Sequence, residues 1–387
     1  MKITQIKDLV NGSLKEVNGT SELLKEDLSN VVDIGKEILD QDDLDRFVKK
    51  LVDRVGKTVF NNRVYQGSAP SVLMDAWEFG SIVEKVDADL PDVQENDSWE
   101  LQDGKSYDQD IFYQPKVKAK FFNSKVTFDI PMSFTQMQVK SAFSSATELN
   151  SFLSMLMTKV QNALTVHLDG LIMKTINNFT AQVIHNGKGL QTVNLLTLYN
   201  ATSGKALTSA KALTDPDFIK FANLTINSYR DRIARMSTLF NVGSVNKFTP
   251  AANQHLVILS DLASASKVYL EASTINQDNV KISNYDTVPY WQGTGTNYGF
   301  NDVSKIDVAI KDDTKTVEIA QTGILGVLFD TNALGVSCQN PRTTTATNAR
   351  AEFYTNFTKY DAMYYNDLNE NYIVFLISDT PVKPVVK

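Results

Sequence analysis

The stretch Ser145–Gly187, SATELNSFLSMLMTKVQNALTVHLDGLIMKTINNFTAQVIHNG, decides the fold of this chain. Its apolar residues recur three or four positions apart, which is the spacing of one face of an α-helix. Ser145 and Glu148 form a capping-box pattern at its start, and Asn186-Gly187 is a stop signal at its end. The stretch predicts a single helix of about forty residues and about 60 Å, which is long for a compact domain.

A β-like segment precedes this helix. Residues 115–130, PKVKAKFFNSKVTFDI, alternate apolar and polar side chains and predict one strand of about fifteen residues, where about five or six are usual. Three of the polar residues form a basic row: Lys116, Lys118 and Lys120. Together with the polar residues 86–113, the strand predicts a long two-stranded hairpin that is too thin to bury its own faces.

The first part of the chain, residues 1–61, is rich in charge and has apolar residues three or four positions apart. This pattern predicts amphipathic helix that is broken at Asn11-Gly12 and again at Asn18-Gly19. Because an isolated helix of this kind is marginal in water, the segment needs a surface to lie on.

The rest of the chain mixes helix and strand. Asp215 followed by Pro216 predicts a helix start, and HLVILSD at residues 255–261 predicts a buried strand followed by a short helix. After Ser304 the sequence becomes mostly β. The fold class that follows is α+β.

Residues 323–336, GILGVLFDTNALGV, have the glycines and the carboxylate of a phosphate-binding turn. The nearly continuous apolar run predicts instead a strand that is buried on both faces. Gly323 and Gly326 then mark places where another segment comes close, and Asp330-Thr-Asn332 marks a turn into the next strand.

The composition excludes several classes of protein. The chain has 387 residues and is 42% apolar, which suits a globular protein with a real core. With 38 basic and 45 acidic side chains, its net charge of -7 argues against binding to a nucleic-acid backbone. Its single cysteine, Cys338, excludes an internal disulfide and a cysteine-based zinc site. No signal peptide or membrane-spanning stretch is predicted.

The sequence contains no complete motif for catalysis, for a cofactor or for a metal. His167, His185 and His255 are assigned structural roles, because no motif places a nucleophile beside any of them. The acidic residues at 40–45 and at 367–371 fail the spacing of a calcium loop, and residues 293–299, GTGTNYG, miss the dinucleotide fingerprint. The sequence predicts neither an enzyme nor a cofactor.

Two interpretations of the basic row are possible. It lies near Phe112 and Tyr113 and is able to bind nucleic acid by charge and stacking. The alternative, which the net charge favours, is that its lysines meet an acidic surface on a neighbouring subunit. The charged first segment, the hairpin and the long helix all expose apolar faces that one subunit is not expected to cover, so many interlocked copies are predicted.

Three stretches carry a family resemblance: FNSKVTFDIPMSFTQMQ at 122–138, GVLFDTNALGV at 326–336 and FYTNFTKYDAMYYNDLNENYIVFLIS at 353–378. In sequence and in the order of its parts, the chain from Gly67 to Ser378 resembles the major capsid proteins of tailed bacteriophages, whose fold is named after phage Hong Kong 97. The family's lysine–asparagine crosslink cannot be assigned to residues here.

The resemblance implies five parts: an N-terminal arm (1–66), an extended hairpin loop (67–130), a peripheral domain with a spine helix (131–188), an axial domain (189–304), and peripheral-domain strands (305–387) with a final strand that returns toward the axial domain. The arm is expected to cross the shell against neighbouring subunits. The strand in residues 323–336 is expected in the peripheral sheet. The expected inter-subunit contacts are Trp99, Tyr107, Phe112, Tyr113, Lys116, Lys118, Lys120, Arg342 and Arg350.

The implied function is structural. Pentamers and hexamers would build an icosahedral shell around packaged double-stranded DNA, without sequence-specific binding, and the shell would be part of the virion. Assembly would take place in the host cytoplasm with a scaffolding protein, a portal and possible decoration proteins. Two alternatives stay open: an encapsulin-like bacterial compartment, and a monomeric binding or adhesion module that uses Trp99 and Tyr107. A hydrolase with an unrecognised carboxylate pair has no motif behind it.

Overall fold

A computed structural model describes residues 3–18, 23–25, 27–40, 46–51, 54, 73–74, 83–88, 90–91, 93–107, 110, 112–114, 117–122, 125–187, 190–271, 284–292, 302–312 and 315–379. Three sequence-based interpretations fall outside these residues: the contact at Lys116, most of the acidic run at 40–45, and the loop at 293–299.

The helices are α1 Ile3–Asn18, α2 Val31–Asp40, α3 Gln136–Ala142, α4 Ala146–Asn186, α5 Leu195–Ser203, α6 Ser209–Ala212, α7 Pro216–Ile233 and α8 Ser260–Ser266. Residues 46–51 are also helical. The strands are β1 Leu73–Met74, β2 Val83–Ala88, β3 Val117–Phe122, β4 Lys125–Thr135, β5 Thr192–Asn194, β6 Gln254–Leu259, β7 Asp286–Val288, β8 Ile306–Asp312, β9 Lys315–Gln321, β10 Ile324–Asp330, β11 Leu334–Asn348, β12 Phe353–Asn366 and β13 Tyr372–Leu376.

Helix α4 confirms the prediction made from residues 145–187. It is 41 residues long and ends at Asn186. At its start the hydroxyl of Ser145 accepts a hydrogen bond of 3.2 Å from the backbone N–H of Glu148, which satisfies one of the free donors of the first turn. No helix among the described residues is long and apolar enough to cross a membrane.

The contacts divide the described residues into two compact units. The first unit contains those within Met1–Trp77, Lys125–Lys174 and Val336–Tyr364, and the second contains those within Glu78–Ser124, Thr175–Gly335 and Tyr365–Lys387. Both α4 and the β11–β12 pair therefore contribute residues to each unit.

The first unit is built on a four-stranded sheet in the order β1-β11-β12-β4. β4 pairs with β12 in antiparallel register from Lys125 opposite Met363 to Thr135 opposite Phe353. A complete capping box formed by Thr135 and Gln138 then starts α3 directly after β4. The core beneath the sheet is rich in aromatic rings, and Phe134 packs edge-on against Phe152 with centroids 5.6 Å apart.

The N-terminal segment corrects two predictions. α1 runs unbroken through Asn11-Gly12. The Asn11 side chain does not end the helix but donates to and accepts from the backbone of Leu24, which ties the helix to the next segment. The helix does end at Asn18, as predicted. The expectation that this segment needs a neighbouring subunit to cover its apolar stripe is wrong, because side chains such as Leu14 and Ile34 are buried in the core of the first unit.

The second unit is built on a five-stranded sheet in the order β5-β13-β10-β6-β7. Every residue of β10 is buried, which confirms the strand predicted from its continuous apolar run. Asp215 caps α7 by accepting from the N–H groups of Asp217 and Phe218, and Pro216 is the first helical residue, as predicted.

The place of β10 corrects another expectation. β10 lies between β13 and β6, so it belongs to the same sheet as the residues 254–259 and not to the four-stranded sheet of the first unit. The backbone of β6 comes close to Gly326, as predicted, because a Cβ there would lie only 3.0 Å from the carbonyl oxygen of Val257. After β10, the backbone N–H of Asn332 donates to Asp330 and forms the predicted turn.

The single strand predicted for residues 115–130 is two strands. β3 ends at Phe122 and pairs with β2 in the second unit, whereas β4 begins at Lys125 and pairs with β12 in the first. The sequence carries the reason, because the apolar residues occupy odd positions up to Phe121 and even positions from Val126 onward. A change of phase in a two-residue repeat marks a break in the strand.

Candidate assembly surface

The base of the β2–β3 hairpin is held by a cluster of charged side chains. In the antiparallel register Lys85 lies opposite Lys120, so both ammonium groups are on one face. The carboxylate of Asp367 lies between them, 3.3 Å from Lys85 Nζ and 3.0 Å from Lys120 Nζ. We call this group, completed by two further residues, the anchor cluster: Lys85, Lys120, Lys247, Asp367 and Glu370.

Lys85 is the centre of the anchor cluster. Its ammonium group also lies 3.8 Å from Glu370 and 5.1 Å from the centroid of the Tyr365 ring, and it donates to the carbonyl oxygen of Asn332. Lys247 completes the set at 3.2 Å from Glu370. Because Asp367 and Glu370 lie in the turn between β12 and β13, these contacts fix the hairpin to the rim of the five-stranded sheet.

The pKa values of the two carboxylates in the anchor cluster are shifted in opposite directions. Burial on its own would raise the pKa of Asp367, but the hydrogen bond from Lys120 and the charge of Lys85 outweigh burial and lower it. For Glu370 burial dominates over Lys247 and Lys85, so its pKa is raised. Burial, with the negative charges of Asp367 and Glu370, raises the pKa of Tyr365 to about 12.

The outward face of the hairpin is largely apolar, with the charged Glu84 opposite Phe121. Val86, Val117 and Phe121 all point away from the anchor cluster, and Phe121 is 62% exposed. Here Lys85 and Lys120 face the protein, whereas Val86, Val117 and Phe121 face solvent, which reverses the usual pattern of an amphipathic strand. An exposed apolar face of this kind is typical of an interface between proteins.

Beyond the strands, residues 93–107 form a tip that we call the tip segment. Trp99 ends a single 3-10 turn and is 96% exposed. The Tyr107 hydroxyl accepts from the N–H of Gln102 at 3.1 Å, and Lys105 lies 5.1 Å above the Tyr107 ring, so the turn at Gly104 is locally ordered. Phe112 and Tyr113 follow the tip segment and are also exposed.

The two predicted arginine contacts lie in the first unit. Arg342 donates to Asp361 at 3.0 Å, and the same carboxylate accepts from Thr127, Asn340 and Lys125. Burial opposes ionisation of Asp361, but these donors outweigh it and hold its pKa well below its usual value. Arg350 is exposed in the turn between β11 and β12.

The structure thus separates the predicted contact residues into three groups. Trp99, Tyr107, Phe112 and Tyr113 lie on or beside the tip segment, Lys120 and Arg342 contact carboxylates of the same chain, and Lys118 and Arg350 lie at the surface. That these residues contact other subunits stays a prediction.

Sequence reasoning missed the anchor cluster. The sequence holds one signal for it: the basic row needs a counter-charge, and residues 367–371, whose spacing does not fit a calcium loop, contain the carboxylates of Asp367 and Glu370. The two segments that pair here are more than two hundred residues apart in the chain. Periodicity within a segment does not show which distant segment it will contact.

Comparison with known proteins decides the family. The sequence profile of the Phi29-like phage major capsid proteins matches residues 6–376. The chain belongs to this family. It is therefore a structural protein of a phage capsid and not an enzyme, and its fold is the α+β capsid fold of the Hong Kong 97 type.

Individual relatives are distant. The major capsid protein of Bacillus phage GA-1 is 25% identical over 170 residues, a match that covers 42% of this chain and 34% of that relative. The chain thus aligns with about a third of that protein's length. A chain in the capsid structure of Staphylococcus phage Andhra superposes with a TM-score of 0.52 at 10% identity, covering 82% of this chain and 86% of that one, which shows a shared fold alone.

Proposed function

We propose that this chain assembles into pentamers and hexamers that close an icosahedral shell around the packaged double-stranded DNA of a tailed phage. Each hairpin lies over an adjacent copy of the chain and buries its outward apolar face there. The observation that carries this proposal is the hairpin itself, which is fixed at its base by the anchor cluster while Phe121 and Trp99 are open to solvent. A rigid element with exposed aromatic residues is the form that a docking arm takes.

The parts of the chain have separate roles in this proposal. Residues 189–304, with β10 and β13 of the same sheet, form the axial domain around the centre of each pentamer or hexamer. Residues 131–188 with β11 and β12 meet at threefold junctions. Many identical weak contacts suit such a shell, because their number gives stability while single contacts still break and correct errors.

The charge of the chain suits an enclosed genome. With a net charge of -7 the subunit does not grip phosphate groups strongly, so DNA is free to slide as it is packaged. We place assembly in the host cytoplasm, with a scaffolding protein, a portal and possible decoration proteins as partners, on the strength of the resemblance to tailed-phage capsid proteins.

Electron microscopy and sedimentation of the expressed chain, with and without a scaffolding protein, test the proposal. We expect closed shells that, when isolated from infected cells, contain nuclease-protected DNA. A single 43.1 kDa species at all concentrations and salts would contradict assembly. Shells filled with a protein cargo and no DNA would favour an encapsulin-like compartment.

A further inference from the structure

The middle of α4 carries an apolar groove that the first unit leaves open. Phe128 of β4 forms one wall, and one face of the helix forms the floor with residues three or four positions apart: Ala163, Val166, His167, Gly170 and Lys174. The groove has a volume of about 580 Å³. Val166 is 71% exposed there, although Leu164 and Leu168 on the opposite face are fully buried. We call it the helix groove.

Gly170 lies in the floor of the groove, and the packing of the single chain does not require a glycine at this position. It lies in the interior of a 41-residue helix, where glycine is less stable than any other residue except proline. A Cβ added at this position would meet no atom within 4 Å, so nothing inside the chain excludes a side chain. The space above Gly170 is therefore open to a group from outside the chain.

The tip segment has the complementary properties. It presents the exposed indole of Trp99 and the exposed side chains of Val93 and Leu101. Residues 93–107, VQENDSWELQDGKSY, contain four carboxylates and one lysine. The described residues that line the helix groove include the positively charged Lys174 and no carboxylate.

We propose that the helix groove receives the tip segment of a second copy of this chain, with Trp99 against Gly170 and the tip carboxylates facing Lys174. This inference rests on the proposed function, in which hairpins lie over adjacent subunits, and it names the surface that accepts them. Tryptophan is the residue most often found as a dominant anchor in interfaces, and it requires a dry, apolar recess. The floor at Gly170 and the wall formed by Phe128 supply a mainly apolar recess, which the docked segment of a second copy would close to water.

Disulfide trapping tests the contact directly. In a Cys338→Ser background, Ser98→Cys places a thiol beside Trp99 and Val166→Cys places one in the groove. Mild oxidation of assembled shells is expected to link copies into a ladder of covalent multimers on a denaturing gel, and reductant should collapse it. The two single-cysteine variants are the controls and should give no ladder. Double-cysteine shells that give no ladder would overturn the inference.

Substitutions at Gly170 provide a second, independent measurement. Gly170→Ala leaves most of the groove open and should assemble as the wild type does. Gly170→Leu places a larger side chain in the groove, where its Cβ would meet no atom within 4 Å and a better helix former replaces glycine. The subunit should therefore keep or raise its thermal unfolding midpoint while the yield of shells falls at least tenfold. Equal yields from the two variants would overturn the inference.

The outcomes separate this inference from the proposed function. If the wild-type chain forms no shells under any condition, the proposed function fails. If wild-type shells form and the double-cysteine shells give no ladder, only the docking site is wrong. A block by Gly170→Leu without a ladder would assign the groove to a different segment or partner and would also overturn it.

Discussion

At the scale of single residues, Gly323 is required by both its backbone and its surroundings. Its φ is +76°, and a Cβ there would overlap the carbonyl oxygen of Ile377, which is backbone and cannot move aside. We expect Gly323→Ala to lower the free energy of unfolding by about 3 kcal/mol, since left-handed strain adds to a backbone clash. Gly204→Ala is the matched control, because its φ is +67° and its Cβ would meet nothing within 4 Å.

Urea unfolding of the unassembled chain measures this difference. Gly204→Ala should cost about 1 kcal/mol, the strain alone. If both variants lose the same stability, the close approach at Gly323 is not a real constraint.

Asp361 gives a prediction about pH at the same scale. Because its folded-state pKa lies below the ordinary 3.8, its ion pairs stabilise the first unit fully above that pH and lose this effect as the pH falls through the folded pKa. Asp361→Asn should therefore destabilise the chain by about 2 kcal/mol at pH 7, since a buried charged hydrogen-bond acceptor is removed. The gap between variant and wild type should narrow below pH 3.8. A gap that stays constant down to pH 2 would assign the loss to packing instead.

At the scale of elements, the anchor cluster makes the hairpin a rigid part of the second unit. Asp367→Asn leaves the ammonium groups of Lys85 and Lys120 without their shared carboxylate. We expect a local cost of about 2 kcal/mol, less than for a fully buried pair because Lys120 is partly exposed. Hydrogen exchange of the β2 and β3 amides should accelerate about 30-fold, which is the same free energy expressed as a rate.

The control for that measurement is Asp217→Asn. Asp217 pairs with Lys205 at 3.0 Å on an open surface, where ion pairs contribute little. Loss of this ion pair should leave the hydrogen-exchange rates of the β2 and β3 amides unchanged. Equal exchange in the two variants would show that the anchor cluster does not hold the hairpin.

How far the sequence predicts these elements depends on whether their signals are local. The helix from Ala146 to Asn186 and the cap at Asp215 were predictable, because spacing and capping residues act within a few positions. The division of residues 115–130 into two strands had a local signal in its change of phase. The partners of Lys85 and the sheet that accepts β10 had none, because they depend on contacts between distant parts of the chain.

At the scale of the whole molecule, the N-terminal segment belongs to the fold and not only to assembly. Ten of its apolar side chains are buried in the core of the first unit: Leu9, Val10, Leu14, Leu24, Leu28, Val31, Ile34, Phe47, Val48 and Leu51. Each buried side chain of this kind contributes about 2 kcal/mol, so losing even a few of them removes a large part of the net stability of a typical domain, about 5–15 kcal/mol.

Deleting residues 2–55 should therefore unfold the first unit as well as prevent shells. Replacing residues 93–107 by a short glycine-serine linker is the contrasting change, because the exposed tip segment contributes little to either core. Thermal unfolding of the unassembled chains should show a lost or strongly lowered transition for the first variant and a wild-type transition for the second, although electron microscopy should find shells in neither. If the first variant keeps a wild-type transition, these side chains do not support the core. If the tip replacement still forms regular shells, the tip segment is not what joins the copies.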